Sequence, residues 1–366
     1  MELNYVYTFL VWSANFIGAV FSALLGAILA SKIGKRMPFL LFWIALGIFS
    51  SLLLMLTNNP SGLNILILAT LYGISFGLGM PACLGYYSDS TIVENRARLG
   101  GIIMFITTAG TIILLGVVLT VNNVFMHALI LAAWRGTSLA VFPLSKQQEN
   151  IKKGKNPSYL SIISQRAYLF YFIPWIMFSL VNSLSIPMQS AILGETSLEF
   201  LLLVEYTMVG SFAIIGGFLS DFFGRKRMII TGFVTLGIGY AILGIYPENV
   251  ASWYLYTIVD GMAWGIFSAI FFITIWGDLA QEKPPDKYYA LGGLPYLLSS
   301  FLRITLGPYI AQTIPAYAIF SFTAFFLFLA VIPLMYAPET LPEKKIRERE
   351  LKGYIDKAKK VKEKYT

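Results

Sequence analysis

The hydrophobic positions of this chain gather into long runs separated by short polar breaks. Eleven runs of roughly 20 to 26 residues are each long enough to cross about 30 Å of hydrocarbon as a helix. Polar breaks such as 58–62 and 247–249 are typical of turns between antiparallel neighbours. The pattern predicts an all-α, polytopic membrane protein with eleven transmembrane helices. The runs lie at roughly 5–30, 37–57, 63–88, 99–120, 125–144, 167–190, 198–220, 228–246, 251–276, 289–311 and 315–337.

A basic turn occurs twice in the chain, 190 residues apart. Residues 26–36 and 216–226 match position for position. A second landmark, an aromatic-x-Asp tripeptide followed by a Gly-Gly pair, occurs at 87–101 and again at 276–293. Two landmarks with nearly one period indicate a duplication. We therefore expect two pseudo-symmetric bundles, 1–145 and 167–337, joined by a cytoplasmic linker (146–166) and followed by a basic cytoplasmic tail (338–366).

The composition agrees with this organisation and excludes several classes of protein. Hydrophobic residues make up 57% of the chain and charged residues 13%, with a mean hydropathy of +0.70. Such a balance is incompatible with a soluble surface. The single Cys83 cannot form an internal disulfide, and a single His leaves no histidine cluster for a metal. No nucleophile, base and orienting group stand at plausible spacing, so we expect neither an enzyme nor a bound cofactor or metal.

The basic residues predict the orientation. Of the 27 Lys and Arg residues, 25 lie in alternate loops or the tail, and the opposite loops contain none. Because basic residues near span ends stay on the cytoplasmic side, we expect Met1 outside and the C-terminus in the cytoplasm of a multi-pass plasma-membrane protein. The net charge of +8 is then explained by topology and by contact with anionic lipid, and it gives no indication of nucleic-acid binding.

The repeated turn resembles a motif of the major facilitator superfamily, G-x-x-x-D-R-x-G-R-R, found between helices 2 and 3 and again between 8 and 9. Residues 81–98 resemble the end of helix 4 in the sugar-porter and metabolite-symporter branches, and Ala337–Thr340 resembles the P-E-T that closes their helix 12. The resemblance covers the whole chain. It implies a gating role for Gly26, Ser31, Gly34, Lys35, Arg36, Gly217, Asp221, Gly224, Arg225, Lys226, Asp89, Arg96, Arg98 and Asp278.

Two departures from the family pattern stand out. Only one helix precedes the first basic turn, where the family has two, so the chain is expected to lack the first of twelve helices. Either the start is assigned too late or the protein truly has eleven helices. In addition, Ser31 replaces the acidic residue that Asp221 retains. In the family this acid pairs with Arg and meets a helix N-terminus, so we expect a charged lock only around Asp221, Arg225 and Asp278.

Four charges fall inside the predicted spans: Arg135, Glu205, Asp260 and Arg303. A charge at mid-bilayer costs on the order of 3 kcal/mol, so each should face a partner or a watery cavity. They are either two buried ion bridges or a proton carrier, Asp260 or Glu205, with Arg303 tuning it or holding substrate.

Further polar and aromatic side chains on the predicted spans are candidates for solute contact. Asn182, Gln189, Tyr256 and Trp264 are either solute contacts or packing residues. Near the cytoplasmic span ends, Asp89 and Asp278 are either gate residues, or helix caps or surface partners of Arg96 or Lys283.

These features predict a monomeric secondary active transporter. We expect proton-coupled uptake of a small organic solute, a sugar or another metabolite, by alternating access. Residues 99–120 contain no Gly-Pro pair of the kind that exporters of the superfamily carry in the fifth helix, which disfavours efflux. The alternatives are an efflux antiporter of the same superfamily, a non-transporting membrane receptor and a truncated paralogue.

Single-cysteine labelling tests the predicted orientation. In a Cys83→Ser background, a cysteine at Asn59 should react with a membrane-impermeant maleimide from outside the cell. A cysteine at Lys153 should react only after permeabilisation, and the background protein alone should not react. Labelling of position 153 in intact cells together with protection of position 59 would overturn the predicted orientation.

Overall fold

The computed structural model describes residues 5–33, 35–58, 62–141, 154, 156–193, 195–342 and 351. Gly34 of the gating motif, linker residues 146–153 and 155, and most of the tail lie outside these residues. Helices dominate the described chain. Those before and within the linker are α1 (Tyr5–Ile33), α2 (Arg36–Leu52), α3 (Gly62–Gly77), α4 (Met80–Ser90), α5 (Arg96–Leu119), α6 (Val124–Val141) and α7 (Tyr159–Ile163).

The second half continues in the same manner. Its helices are α8 (Arg166–Leu193), α9 (Glu195–Phe223), α10 (Arg225–Ile245), α11 (Val250–Phe267), α12 (Ile275–Ala280), α13 (Asp286–Thr305), α14 (Gly307–Thr313) and α15 (Ala316–Tyr336). A π-helical segment, Ser268–Thr274, joins α11 to α12 without a break. Short 3₁₀ segments, Leu53–Asn58 and Val93–Asn95, follow α2 and precede α5.

The predicted spans coincide with these helices. Within the described residues, nine helical segments are long and apolar enough to cross a membrane, and α6 is a shorter apolar helix. The predicted run 289–311 corresponds to α13 and α14 together. Two runs are not continuous helices: 63–88 breaks between α3 and α4, and 289–311 breaks at Leu306. In both cases a proline, Pro81 or Pro308, stands in the first turn of the next helix. Proline lacks the N–H that would continue the preceding helix.

The helix bounds follow the 190-residue repeat. Shifted by that distance, α1 coincides with α9, α2 with α10, α5 with the start of α13, and α6 with α15. The α3–α4 pair falls on α11, the π segment and α12. Helix α8 has no counterpart among the described residues of the first half.

The buried core lies mainly in the second half and is largely aromatic. Trp175 and Phe178 of α8 have ring centroids 5.6 Å apart, and Trp175 stacks on Phe271 at 4.8 Å. Phe178 meets Phe267 edge-on at 4.7 Å. The first half has a smaller buried cluster, made of Ala30, Phe39, Leu40 and Ala82. The difference arises because α8 supplies rings that no described helix of the first half supplies.

Two helix pairs join the halves, and the repeat relates them to each other. Helix α5 packs along α9, and α1 packs along α13. The α5–α9 contact is close because Gly101 lies on the Ala213 carbonyl and Gly217 lies on the Ala97 carbonyl. The α1–α13 contact is aromatic, with Phe16 stacked on Phe301 at 4.9 Å. Small residues at such crossings allow backbones to approach in a membrane.

The glycine contact between α5 and α9 can be tested with a matched pair of substitutions. A side chain at Gly101 would collide with the Ala213 backbone, whereas one at Gly116 on the same helix has open space around it. Gly101→Leu should therefore cost about 1 to 3 kcal/mol of overpacking and lower the melting temperature of the detergent-purified protein. Gly116→Leu should leave the melting temperature within about a degree or raise it, because leucine is the better helix former. Equal melting temperatures for the two variants would contradict this contact.

Candidate functional site

One end of the molecule, which we call the basic end, holds the two halves together through buried ion pairs. Asp278 on α12 accepts hydrogen bonds from Arg96 Nη1 at 2.5 Å and from Arg225 Nε at 3.2 Å. Neither arginine is more than 1% exposed. Because Arg96 belongs to the first half and Arg225 to the second, one carboxylate joins both. We call Arg96, Asp221, Arg225 and Asp278 the Asp278 cluster.

Asp221 completes this cluster from the last turn of α9. Its carboxylate accepts the backbone N–H groups of Ala97 at 3.2 Å and Arg98 at 2.8 Å, in the first turn of α5. It also pairs with Arg225 Nη1 at 2.7 Å, and the half-exposed Arg98 lies 3.7 Å away. A carboxylate at a helix N-terminus is stabilised by the free N–H groups and the helix dipole. The close Gly217–Ala97 contact brings Asp221 to this position.

A second cluster, the Arg36 cluster, lies beside the first. Arg36 Nη1 lies 2.6 Å from Asp89 Oδ2, and Arg36 binds both oxygens of Asp286 at 2.7 and 3.0 Å. This is the bidentate geometry that suits a guanidinium and a carboxylate. Arg36 and Asp89 come from the first half and Asp286 begins α13 in the second. Gly85 makes room for it, since a Cβ there would lie 2.8 Å from Asp286 Oδ1.

Two predictions about the basic end are wrong. The lock is not restricted to the neighbourhood of Asp221, Arg225 and Asp278, because Arg36 and Asp286 form a second charged bridge between the halves. The expected surface position of Asp89 and Asp278 is also wrong: of the pairs considered with Arg96 or Lys283, Asp278 does pair with Arg96, but inside the molecule. Asp89 pairs with Arg36, Asp278 pairs with Arg96 and Arg225, and both carboxylates are buried.

Ser31 takes no part in either cluster. It donates a hydrogen bond to the Ile28 carbonyl and accepts one from Asn156 in the linker. Gly26 packs closely on the backbone of Leu78. Lys35, the repeat counterpart of Arg225, is exposed.

The start of α10 is capped by Glu339 from the Pro-Glu-Thr segment. Its carboxylate accepts the N–H of Arg225 at 2.9 Å and of Lys226 at 3.2 Å. Gly224 has φ +103°, a conformation that side chains disfavour, and a Cβ there would collide with Glu339. Lys226 Nζ donates to the Met335 carbonyl at 2.6 Å. Thr340 in turn donates to Asp278 at 3.1 Å, so the cap and the Asp278 cluster form one network.

A cavity of about 70 Å³ lies between the halves, next to the basic end; we call it the central cavity. The first half contributes residues of α1, α3 and α4. The second half contributes residues of the π segment, α12 and α13. Aromatic residues and glycines dominate the second-half wall, namely Phe271, Phe272, Trp276, Tyr289, Gly292 and Tyr296.

A chain of buried hydrogen bonds connects α8, α10 and α11. Gln189 Nε2 donates to the Tyr256 hydroxyl at 3.0 Å, which donates to the Tyr240 hydroxyl at 2.8 Å. Tyr240 in turn donates to Asn182 Oδ1 at 2.7 Å. The structure thus brings together three of the predicted solute contacts, Asn182, Gln189 and Tyr256, as partners of one another. All four side chains are buried.

Asp260 and Glu205 lie next to this chain. Asp260 is only 3% exposed, and its carboxylate interacts with Tyr256 and electrostatically with Glu205. The backbone of Glu205 on α9 lies against Gly261 on α11, which brings the two acids into one region. In the described part of the chain, Asp260 Oδ1 has no hydrogen-bond partner.

The two intramembrane arginines do not pair with these acids in the part of the chain that the structure describes, so the predicted ion bridges are wrong. Arg135 lies against Gly47 and near Tyr72, inside the first half. Arg303 acts electrostatically on Tyr206, the neighbour of Glu205, and it is not among the charges that act on either acid. Trp264 packs on Phe178 and Tyr296.

Sequence reasoning missed three residues of these sites. Asp286 stands 190 residues after Arg96, so it is the repeat counterpart of a residue that was already a candidate. It carries the opposite charge to Arg96. Tyr240 gave no signal, because one tyrosine in an apolar helix is ordinarily a packing residue. Glu339 was noted only as part of a family-like segment, and its capping role depends on where the chain returns after α15.

Comparison with known protein families supports the sequence resemblance. A sequence model described as Major Facilitator Superfamily matches residues 157–363, which is more than half of the chain. No curated protein sequence matches the chain.

Solved transporter structures share the fold at low sequence identity. The proton:xylose symporter XylE, bound to 6-bromo-6-deoxy-D-glucose, has a TM-score of 0.68 and 15% identity over 90% of this chain and 85% of that one. The human organic anion transporter MFSD10 (TETRAN) has a TM-score of 0.67 and 15% identity, and the match covers 89% of this chain and 83% of that one. A bacterial homologue of the iron transporter ferroportin, in an outward-facing state, has a TM-score of 0.68 and 13% identity, and the match covers 90% of this chain and 89% of that one. Identities this low establish a shared fold only.

The strength of the basic-end contacts can be measured at Ser88, which is buried between the clusters and whose carbonyl accepts from Arg96. In a Cys83→Ser, Ser88→Cys background, Asp221→Asn should accelerate maleimide labelling at least tenfold. Breaking a buried ion pair costs about 3 to 5 kcal/mol, which shifts the protein toward open states. Asp286→Asn should act in the same direction.

Ser31→Ala is the control for this experiment. It removes only a local hydrogen bond and a contact with Asn156 at the surface, so the labelling rate should stay within about twofold. Equal effects of Asp221→Asn and Ser31→Ala would mean that the turns act through their glycines and not through the charge.

Proposed function

The chain belongs to the Major Facilitator Superfamily, and on that premise we propose that it is a proton-coupled secondary transporter that takes up a small organic solute by alternating access. The superfamily predicted from the basic turns is confirmed, and the chain is a transporter and not an enzyme. The sugar-porter branch, the coupling ion and the direction remain predictions.

One continuous helical element carries the proposal. Helix α11, the π segment and α12 run from Val250 to Ala280 without interruption. Asp260 lies on its first part, Phe271 and Phe272 of the central cavity on its π segment, and Asp278 near its end. A proton site, a solute site and a gate residue are therefore parts of one body. A shift of this element would change all three together.

The two ion clusters form the gate in this proposal. They close the basic end, which we assign to the cytoplasmic side because basic loops remain there during insertion. Opening to the cytoplasm requires separation of Arg96 from Asp278, of Arg36 from Asp286, and of Asp221 from the start of α5. These contacts cross between the halves, so rocking of one half against the other breaks them together.

The Glu205–Asp260 pair is the proton site in this proposal. Asp260 is buried and Glu205 is partly buried, and the two carboxylates interact and have no basic partner among the described residues. They cannot both be charged without a large cost. One bound proton relieves that cost. Water that enters as the bundle opens would favour release of the proton. Hydrogen bonds of Tyr256 and Tyr240 link this site to α8 and α10. A change of protonation would therefore alter the contacts between these helices.

Uptake is favoured over efflux for one reason read from the sequence. Helix α5 contains no Gly-Pro pair of the kind that exporters of the superfamily carry in the equivalent position. The Gly307–Pro308 pair lies in the other half, at the start of α14.

The proton site can be tested without knowledge of the solute. An infrared pH titration of the purified protein should show a protonated buried carboxyl group at neutral pH, because the pair binds a proton. Asp260→Asn and Glu205→Gln should each remove or shift that band. Glu248→Gln, at an exposed acid in the loop after α10, should leave it unchanged.

Transport measurements in proteoliposomes extend this test. The solute used is any that the wild type accumulates. Neutralising the proton carrier, by Asp260→Asn or Glu205→Gln, should abolish accumulation driven by a pH gradient. Exchange of solute across the membrane at equal pH on both sides should remain. An unchanged carboxyl band and full pH-driven accumulation in both acid variants would show that the pair is structural.

A further inference from the structure

We infer that the central cavity binds an uncharged, largely apolar solute with a flat or aromatic body. This inference rests on the proposed transport function, because it names the class of solute carried. The observations are the chemistry of the cavity wall, the hydrogen bonds that some of its polar atoms already make, and the open space beside Gly293.

The wall is unsuited to a charged solute. Apart from tyrosines, the described residues that line the cavity carry no ionisable side chain and no amide or aliphatic hydroxyl. The nearest charges, those of the two clusters, are paired with one another across the halves. A charged solute would lose its hydration without gaining a partner, which is among the costliest steps in a protein interior.

A solute rich in hydroxyl groups is also unsuited to this wall. Its polar side-chain atoms are the indole N–H of Trp276 and the hydroxyls of Tyr289 and Tyr296. The Tyr289 hydroxyl already donates to the Ile273 carbonyl, and the Gly292 carbonyl already accepts from Trp175. A sugar would bury several hydroxyl groups against rings and methyl groups, and each unpaired group costs about 1 to 3 kcal/mol.

The same wall suits a flat apolar body. Phe272 and Tyr296 form an edge-on pair with centroids 4.9 Å apart, and Trp276 and Phe271 continue the aromatic surface. Ring faces and edges of this kind bind another ring by stacking and edge contacts, in addition to the burial of apolar area. Gly293 has nothing within 4 Å of where a Cβ would stand, so the cavity has free space beside these rings.

The cavity in this state is too small for a ring. At about 70 Å³ it is smaller than the roughly 150 Å³ apolar cavity that accepts benzene. The inferred solute would therefore enter only when the halves move apart during the transport cycle.

Three probes with matched chemistry test the inference on the full-length protein in detergent. Indole is flat and uncharged, indole-3-acetate adds a carboxylate to the same ring, and xylose carries hydroxyl groups without a ring face. Equilibrium dialysis with radiolabelled probes should show saturable indole binding, with indole-3-acetate and xylose at least tenfold weaker. Stronger binding of either than of indole would overturn the inference. This comparison needs no substitution, so it does not depend on the folding of a variant.

A pair of glycine variants locates the site. Gly293→Leu fills the cavity at a position with open space and should weaken indole binding at least tenfold. Gly116→Leu places the same side chain in equally open space on α5, away from the cavity, and should bind indole as the wild type does. Unchanged indole binding by Gly293→Leu, with a wild-type melting temperature, would overturn the assignment to this cavity.

Counterflow in proteoliposomes separates this inference from the proposed function. Indole binding that depends on Gly293 but leads to no carrier-dependent flux would support the ligand class and contradict transport. Proton binding by the Glu205–Asp260 pair and pH-driven flux of another solute, without indole binding, would contradict the ligand class and leave the transport function intact.

Discussion

The pairing of buried charges across the two halves is the constraint on which the rest of this structure depends. Asp278 is shared by an arginine from each half, and Arg36 is shared by a carboxylate from each half. Their burial is tolerable only while these partners remain together, because an isolated buried charge costs several kcal/mol. The closed basic end is thus maintained by a small set of directional contacts. Solvent could replace these few contacts together, so they suit the proposed gate better than a continuous apolar seam would.

In the proposed mechanism, the π segment connects the proposed proton site to the proposed gate. A π-helical stretch has hydrogen bonds between residues five apart instead of four, and such stretches are often found at functional sites. Here it lies between Asp260 and Asp278 and is surrounded by the aromatic core of the second half. Because α11 and α12 flank it without a loop, displacement at the acid pair reaches the Asp278 cluster through packed backbone and not through a flexible connection.

The sequence predicts much of the fold and less of the site, for a physical reason. Apolar length, turn chemistry and basic loops are read directly from the chain, and the repeat predicts which helices correspond. The sequence does not easily show which side of a membrane helix faces the protein and which side faces lipid. Both environments are apolar, so the helix has little amphipathic pattern. For that reason Glu205, Asp260 and Arg303 were recognised as unusual, but the arginine was wrongly expected to face the acids. Asp221 and Arg225 were easier, because their motif contains both partners.

The two repeats solve the same electrostatic problem with different charges. At the repeat positions Ser31 and Asp221 the second half keeps the acid, and at Arg96 and Asp286 it carries an acid where the first half has a base. The Asp278 cluster therefore has two acids and two buried arginines, whereas in the Arg36 cluster one guanidinium bridges Asp89 and Asp286. Loss of Arg36 would remove the cation that joins these two carboxylates from opposite halves. The duplicated halves thus use different charges at equivalent positions to make the ion pairs between them.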